Sequence, residues 1–554
     1  MTDHPDCLIN HKPAINRNDW LIAIGLAVFI FICLCFELHK PGVTWDEGDI
    51  QFPTVKKQAQ WISGLSTIDK PFSKSTISAY WETTSDHPSM TRTLAAVSYL
   101  IFTPWLDEIV SFRLLSALLF SILLSSIYMF LRLFLPRTAS FAGALSLAMM
   151  PRVFGHAHLC SLDAPIMCVW FWAAMAGFLS FHGKIRTYWF GIAYALAFSV
   201  KLHAVFLPPA LLAWALLMII CFYRRELIYL KRTAWSTLWA VILTPVIYIA
   251  TQPWLWHDTW TRLHERFFDY AAKSPIPLLY LGELCYQSNP WHYPLVMILF
   301  TVPVFIIFLA AMGMLSPFYE KFSKAHTDNE TDSFCREWFN FTPHPNPLPW
   351  GEGIYLFLII MCVTIPAIFI FSLAKAYDGC RLFLPCFPFL ACLAGFGYFF
   401  VWRVLKKRMP GQWLHVVLLA LLICPSLIQY YQIRPFYLAY YNEIAGGIHG
   451  AWNKGMETTF WCDSLTRDFL EEVNQFVPEG KTIKPASMSF GVYNYYKERG
   501  WIKHDIDDPA DYYLLQSRQG MFSRDEALMY IKNKPLLSIE IDGVQLYGLY
   551  KRSP

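Results

Sequence analysis

The sequence predicts an α-helical polytopic membrane protein of about eleven spans, with a small soluble α/β domain at its C-terminus, from three observations. Of 554 residues, 55% are hydrophobic and only 16% charged, with mean hydropathy +0.34, 44 Phe and 22 Trp. That is too apolar for a soluble chain of this length. Apolar runs long enough to cross hydrocarbon recur from about Trp20 to about residue 430. After Tyr441 they cease and strand-like pieces alternate with helix-like ones.

The first run, Trp20 to Leu38, is long enough to span roughly 30 Å of hydrocarbon and lacks a small-residue cleavage site, so it reads as a retained helix. Further runs follow at 110–131, 138–151, 164–181, 188–200, 204–222, 235–251, 293–316, 353–374, 382–402 and 413–430. The piece from Thr93 to Trp105 is half to two-thirds of a span, and reads as an interfacial or re-entrant helix. With that piece left out of the count, Arg132, Arg137, Lys184, Arg186, Arg224, Arg225, Lys231, Arg232, Arg403, Lys406, Lys407 and Arg408 all fall on one side. Short cytoplasmic loops are enriched in Lys and Arg, so that side is the cytoplasm, together with residues 1–19. Segments 39–109, 152–163, 201–203, 252–292, 375–381 and everything after about 431 then face outward. The domain boundaries expected are a membrane domain over 20–430 and an outer α/β domain over 431–554.

The loop 318–352 is cytoplasmic in this scheme. Its stretch TPHPNPLPWGEG, Thr342 to Gly353, is Pro-rich without apolar period and reads as a linker. It also resembles the translated form of a repetitive bacterial intergenic element, that is, an insertion. In the C-terminal domain strands are expected over Thr482–Phe490, Asp511–Gln516, Leu537–Ile541 and Val544–Tyr550, and helices over Leu465–Phe476 and Arg524–Lys532.

Several classes are excluded at this level. The net charge of +4 is spread between loops, so no nucleic-acid partner is indicated. The 14 cysteines form no C-x-x-C pair or zinc quartet and read as small core hydrophobes, although Cys160, Cys285, Cys380 and Cys462 fall on the outer side. No Walker loop, G-x-G-x-x-G, H-E-x-x-H or G-x-S-x-G element stands in a usable context.

Polar and ionisable residues collect at the outer mouths of helices. PGVTWDEGD puts Asp46, Glu47 and Asp49 directly after the first run, and ionised side chains at that depth cost several kcal/mol unless a polar cavity receives them. A partly desolvated carboxylate has raised proton affinity and suits a general base that takes a proton from an acceptor hydroxyl. Asp86-His87-Pro88 follows. The next outer loop, PRVFGHAHLCSLDAP, supplies Arg152, His156, His158 and Asp163, which offer either ligands for a divalent metal or a cradle for a phosphate. Lys201 and Arg381 are cations at outer helix ends, where Arg offers a bidentate fork to a lipid phosphate and Lys a point charge. Lys375 is equally well explained by snorkelling. Asp378 precedes Arg381 in AYDGCR. The rings of loop 252–292 suit an interfacial belt.

The order of these motifs, TWDEGD, D-H-P, RLLSALL at Arg113, RVFGHAHLCSLDAP, a Lys after helix five, YDGCRLFLPCFP and YYNEIAGGIHGAWNKGMETTFW, resembles the GT-C superfamily of membrane glycosyltransferases. Specifically, it resembles the bacterial branch near protein O-mannosyltransferases and the lipid A aminoarabinose transferase. The resemblance implies an inverting transferase of the bacterial inner membrane that passes a sugar from a polyprenyl-phosphate carrier to an acceptor hydroxyl of lipid, glycan or protein on the outer face. It implies Asp46 as the catalytic acid with Glu47 beside it, Asp163 as the acid of the second outer loop, and Arg381 at the carrier phosphate, joined by Lys201 and Arg152. Asp86, His87, His156, His158 and Asp378 are then candidate acceptor or sugar contacts, and a divalent metal is left open. Where the family often has a second Pro after D/H-x-P, this chain has Ser89. Loop 252–292 is too short for the β-trefoil insert of the protein mannosyltransferases.

The competing class is a lipid or sugar transporter or flippase, which would show inverted repeats and matching broken helices; the sequence shows no such internal symmetry. A third reading is a scaffold acting through its C-terminal domain. The charge-based topology makes a direct prediction: a cysteine engineered near residue 500 is labelled by an impermeant reagent from the outer side, and labelling from the cytoplasm overturns the orientation.

Overall fold

The computed structural model describes residues 15–82, 87–223, 226–271, 276–286, 290–325, 351–371, 375–406, 408–409, 411–507 and 509–552. Among the described residues eight helices are long and apolar enough to cross a membrane: Arg17–Cys35, Glu108–Leu131, Asp163–Phe181, Leu202–Cys221, Leu227–Ala250, Gly353–Ile370, Arg381–Leu405 and Gln412–Ile433. The run expected over 293–316 is two helices, Tyr293–Thr301 and Val304–Pro317, bent by 117° at the break, and counts as a ninth span if taken as one. Pro303 sits in that break, and a proline cannot supply the backbone donor that a continuous helix needs there. The runs over 138–151 and 188–200 fold as shorter helices, Arg137–Ala148 and Tyr188–Val200. Met90–Phe102 is likewise a short apolar helix of 13 residues, about 20 Å long and less than a bilayer core.

The two most enclosed spans are Arg381–Leu405, 89% buried, and Asp163–Phe181, 78% buried, whereas Leu227–Ala250 is only 11% buried at the rim. Side chains at the first turns of the two central helices are therefore held from all sides. Close approach in the centre depends on glycine: a Cβ at Gly397 would lie 1.7 Å from the Leu309 carbonyl oxygen, and one at Gly313 2.0 Å from that of Leu393. Small residues let helix backbones touch where lipid gives no hydrophobic drive between them.

The two ends of the bundle differ chemically. At one end Asp19, capped with Asn16 at the start of the first helix, accepts from Arg132 Nε (2.8 Å), Arg137 Nε (2.9 Å) and the Tyr128 hydroxyl (3.1 Å). Two of the basic residues of the sequence scheme, Arg132 and Arg137, thus lie at this end. At the other end lie the segment after Cys35, the N-termini of Asp163–Phe181 and Arg381–Leu405, and the C-terminal domain.

That domain is a four-stranded sheet in the spatial order Ile483–Ala486, Tyr512–Gln516, Val544–Lys551, Leu537–Ile541, with the first pair parallel and the others antiparallel. The last two strands form a hairpin through Asp542 and Gly543, both at positive φ (50° and 71°), the Asp-Gly turn that matches strand twist. The strand expected over Thr482–Phe490 stops at Ala486. Ser489 then caps a helix, Phe490–Glu498, its side chain accepting from the Val492 amide. The expected linker Thr342–Gly353 is corrected at its end, because Gly351–Ile370 is helical; residues 326–350 lie outside the described residues. Cys160, Cys285, Cys380 and Cys462 are all free thiols.

The C-terminal domain is packed onto the first outer loop. The Gly42 amide donates to the Asp463 carbonyl (2.8 Å), the Val43 amide to the Tyr496 hydroxyl (2.6 Å) and the Gly491 amide to Asp49 Oδ1 (2.8 Å). One apolar cluster joins Val43, Phe52, Val55 and Phe112 to Leu465, Phe469, Tyr496 and Tyr547. Glycines permit this contact. A Cβ at Gly48 would meet the Val492 backbone nitrogen at 2.6 Å, and one at Gly491 would meet Asp49 Cα at 2.7 Å. Gly491→Ala is therefore expected to push the helix Phe490–Glu498 off the acidic turn, lowering the melting temperature by several degrees and exposing the 440–465 segment to protease. Unchanged melting and proteolysis would show that the seam tolerates a methyl group.

Candidate active site

The acidic pair is split by its own local structure. Thr44-Trp45-Asp46-Glu47 is a capping box: the Glu47 amide donates to Thr44 Oγ1 (3.3 Å), and Glu47 Oε2 accepts from the Thr44 amide (3.0 Å). The helix begins there and passes through a π-helical turn, Glu47–Gln51, before Phe52–Ser63. Such wide turns frequently occur at functional sites. Glu47 points inward and is fully buried, with Oε1 accepting from Arg113 Nε (2.8 Å) and the Cys160 amide (2.8 Å), and Oε2 from Arg113 Nη2 (2.7 Å). Arg113 spends its remaining donors on the carbonyls of Leu38, Pro41 and Gly42 (2.7–2.9 Å). Glu47, expected beside Asp46 as a second catalytic acid, thus has both oxygens committed to holding the turn. Asp46 is turned the other way, with its side chain 29% exposed at the wall of a charged cluster.

Arg381 is the centre of that cluster. Its Nη2 donates to Asp46 Oδ2 (2.8 Å) and its Nη1 to Asp378 Oδ2 (2.7 Å), while Nε lies 3.3 Å from Asp163 Oδ2 without hydrogen-bond geometry. The guanidinium lies 3.8 Å from the centroid of the Trp461 ring. Asp163, at the first position of its helix, also accepts from Lys201 Nζ (2.6 Å), which projects from the extended residue between two helices. Burial raises the Asp46 carboxyl above the usual carboxylate range; the Arg381 cation opposes this, and Asp163 and Asp378 reinforce it. Burial pulls the Lys201 ammonium down, against the attraction of Asp163.

Beside Arg381 is a small cavity lined by Arg152, His156, Asp378, Leu438, Phe460 and Trp461. Arg152 donates from Nε to the Tyr440 carbonyl (2.8 Å) and lies over the Tyr441 and Phe460 rings. Its Nη2, His156 Nδ1 and Arg381 Nε are all buried without a hydrogen-bond partner among the described residues. Gly379 makes room for Arg152, since a Cβ there would lie 2.5 Å from Nη1. Burial drops the His156 imidazole to about 3, so it is neutral near pH 7.

The other expected residues are placed elsewhere or differently. His158 does not join His156: its Nδ1 faces the Phe154 carbonyl (2.9 Å) and its ring stacks on Tyr437. The metal reading of His156, His158 and Asp163 therefore does not fit, and among the described residues no group of three or more His, Cys, Asp or Glu could hold a metal ion. The three clustered aspartates surround a guanidinium instead. Asp378 lines the cavity and has both oxygens on arginines, Arg381 and Arg518. His87 lies by Arg92, whose Nε donates to Gln51 (3.0 Å). Asp86 lies outside the described residues.

Three participants escaped sequence reasoning. Arg113 carried a readable signal, a cation inside an apolar run, which must find a partner. The T-x-x-E spacing of Thr44 and Glu47 was another. Arg518, at the end of a strand in the C-terminal domain, carried none.

Residues 86–250 match the family described as dolichyl-phosphate-mannose-protein mannosyltransferase. That match covers under a third of the chain. The matched segment holds Arg113, Arg152, His156, Asp163 and Lys201, and over it the likeness to such enzymes is borne out. No curated protein matches. Among solved structures, ArnT from Cupriavidus metallidurans bound to undecaprenyl phosphate is 13% identical, with 96% of this chain and 98% of that one covered at a TM-score of 0.45. Its apo form gives 14%, 96%, 98% and 0.48. The archaeal oligosaccharyltransferase AglB from Archaeoglobus fulgidus, in complex with an inhibitory peptide and a dolichol-phosphate, is 11% identical, covering 92% and 62% at a TM-score of 0.42. Superpositions this loose assign no residue, and the site stands on the geometry of this chain.

The split of the acidic pair is testable by stability. Removing one partner of a fully buried ion pair costs about 3–5 kcal/mol, whereas an exposed-edge acid costs far less. Glu47→Gln is expected to melt many degrees below wild type and Asp46→Asn within a few degrees of it; equal effects would contradict the division.

Proposed function

We propose that this protein is an inverting glycosyltransferase that moves a sugar from a polyprenyl-phosphate carrier to an acceptor hydroxyl at the outer face of the membrane. The observation that carries the reading is the Arg381 cluster, where a carboxylate of raised proton affinity stands one residue from a cavity walled by unpartnered cationic and imidazole N–H or N groups. Such a pairing of base and anion cradle suits displacement of a phosphate leaving group.

Two further features support a lipid donor. The described match is to a family named for dolichyl-phosphate-mannose. An apolar groove of about 430 Å3 runs along the helices from Phe198 and Val205, on either side of Lys201 in sequence, to Phe181 and Thr233 at their far ends. Its open apolar wall suits a prenyl chain whose phosphate lies at the cation end. The outward orientation rests on the basic loops at the opposite end of the bundle.

In this mechanism the donor phosphate is received by Arg381, Arg152 and Lys201. As it binds, the phosphate competes with Asp46 for Arg381, and the carboxylate is freed to accept a proton. The acceptor oxygen attacks the anomeric carbon while the bond from that carbon to the phosphate oxygen breaks. The electron pair leaves with the phosphate and the hydroxyl proton passes to Asp46. One base suffices, because the leaving phosphate needs no proton, unlike the alcohol expelled by a glycosidase. Asp163 holds Lys201 and Arg381 in place, and Glu47 with Arg113 holds the turn that presents Asp46.

Transfer of radiolabelled sugar from purified carrier lipid tests the assignment. Asp46→Asn is expected to lose about 10²–10⁴-fold in kcat. The base must be ionised, so kcat/KM of wild type should fall on acidification through a pKa above the usual carboxylate range, and that limb should vanish in Asp46→Asn. Wild-type turnover in Asp46→Asn and Arg381→Ala would sink the site.

A further inference from the structure

We propose that Arg518, supplied by the C-terminal domain, is a positioning residue that sets the charge of the phosphate site by neutralising Asp378. The proposal rests on the glycosyltransferase reading above. Asp378 lies between two guanidiniums, with Oδ2 on Arg381 Nη1 (2.7 Å) and Oδ1 on Arg518 Nη2 (2.6 Å). Arg518 is 1% exposed and stands behind the cavity wall, bonded to the wall residues Asp378 and Phe460 without lining the cavity itself. Its influence on a donor must pass through Asp378.

Arg518 is fixed from several directions. Its Nη1 donates to the Phe460 carbonyl (2.7 Å), and its guanidinium lies 5.3 Å from the Trp45 ring centroid, next to Asp46 in sequence. The Ser517 amide is tied to the Leu546 carbonyl (3.0 Å) and the Gly520 amide to Glu457 Oε1 (2.8 Å). A Cβ on Gly520 would lie 2.4 Å from that oxygen, so the turn that carries Arg518 closes directly onto the segment after the last span. A flexible surface arginine would show none of these ties.

The electrostatic consequence follows from the named groups. Asp46, Asp163 and Asp378 face Arg381, Lys201, Arg152 and Arg518, which leaves one positive charge in excess for an anionic ligand before the buried Glu457 carboxyl beside the Arg518 turn is counted. Without Arg518 the excess is gone and Asp378 leans on Arg381 alone, the cation a phosphate needs. Without Asp378 the excess doubles and Arg381 gains a free donor. Burial weakens screening, so each change alters phosphate affinity rather than dissipating into solvent.

Equilibrium binding of undecaprenyl phosphate to the full-length protein in detergent, with undecaprenol as the uncharged control, decides the matter. Arg518→Gln is expected to weaken phosphate-dependent binding by about tenfold, Asp378→Asn to tighten it several-fold, and the double variant to return near wild type. A merely structural role would make both single variants weaker and the double worse than either, and that pattern overturns the proposal, as does wild-type binding by Arg518→Gln. Should Arg518→Gln fail to fold, Asp378→Asn decides alone, with tighter binding supporting the proposal and weaker binding refuting it. If wild type itself shows no phosphate-dependent binding, the glycosyltransferase reading fails and this one with it, whereas transfer-competent wild type with an unaffected Arg518→Gln refutes only the role of Arg518.

Discussion

A guanidinium withdrawn from water must be surrounded by acceptors, and Arg381 draws its acceptors from segments that are remote in sequence. Asp46 follows the first span, Asp163 opens the helix Asp163–Phe181, and Asp378 lies three residues upstream of Arg381. An isolated buried charge costs several kcal/mol, so each of these segments is held in register by the need to keep the cation paired. The two helices that begin at Asp163 and Arg381 are also the most enclosed in the bundle, which converts a local electrostatic requirement into a global one. The bundle is built so that its central helices deliver opposite charges to one point at one end.

A pair formed under constraint is also a pair that a better partner can take apart. Arg381 holds Asp46 in a contact that suppresses the basicity of the carboxylate, while its own Nε and two nearby nitrogens, Arg152 Nη2 and His156 Nδ1, accept or donate no hydrogen bond among the described residues. In the proposed reaction an arriving phosphate satisfies those nitrogens and releases the base at the same moment. The buried Glu47–Arg113 pair has the contrary character. Every acceptor and donor in it is used, and it keeps the acidic turn from following Arg381 when the charge balance changes.

The C-terminal domain belongs to the site rather than hanging from it. Glycines at 48 and 491 bring its helix onto the acidic turn at backbone contact, and Arg518 reaches from its sheet to Asp378. Between them Trp45 donates its indole N–H to Cys462 Sγ (2.7 Å), so the residue preceding Asp46 is seated on the domain. The sugar transfer proposed for this chain would therefore take place on a surface to which both parts contribute.

The sequence alone determined the membrane-spanning class and an expectation that Asp46, Asp163, Lys201 and Arg381 fall at the same end of the bundle. Those statements need only hydropathy, loop charge and the alternation of helix direction, all of which are local or cumulative along the chain. It also located three of the four C-terminal strands closely, because alternation and the Asp542-Gly543 turn are local signals. It did not separate Glu47 from Asp46, since two adjacent acids look alike until a capping box and Arg113 commit one of them. It read His156 and His158 as a pair, although the two-residue spacing, about half a helical turn, sends them to different neighbours. Arg518 and the neutralisation of Asp378 belong to tertiary structure only, because the two residues are 140 positions apart. A contact of that separation leaves no trace in composition or period, and only packing the domain onto the bundle brings the charges together.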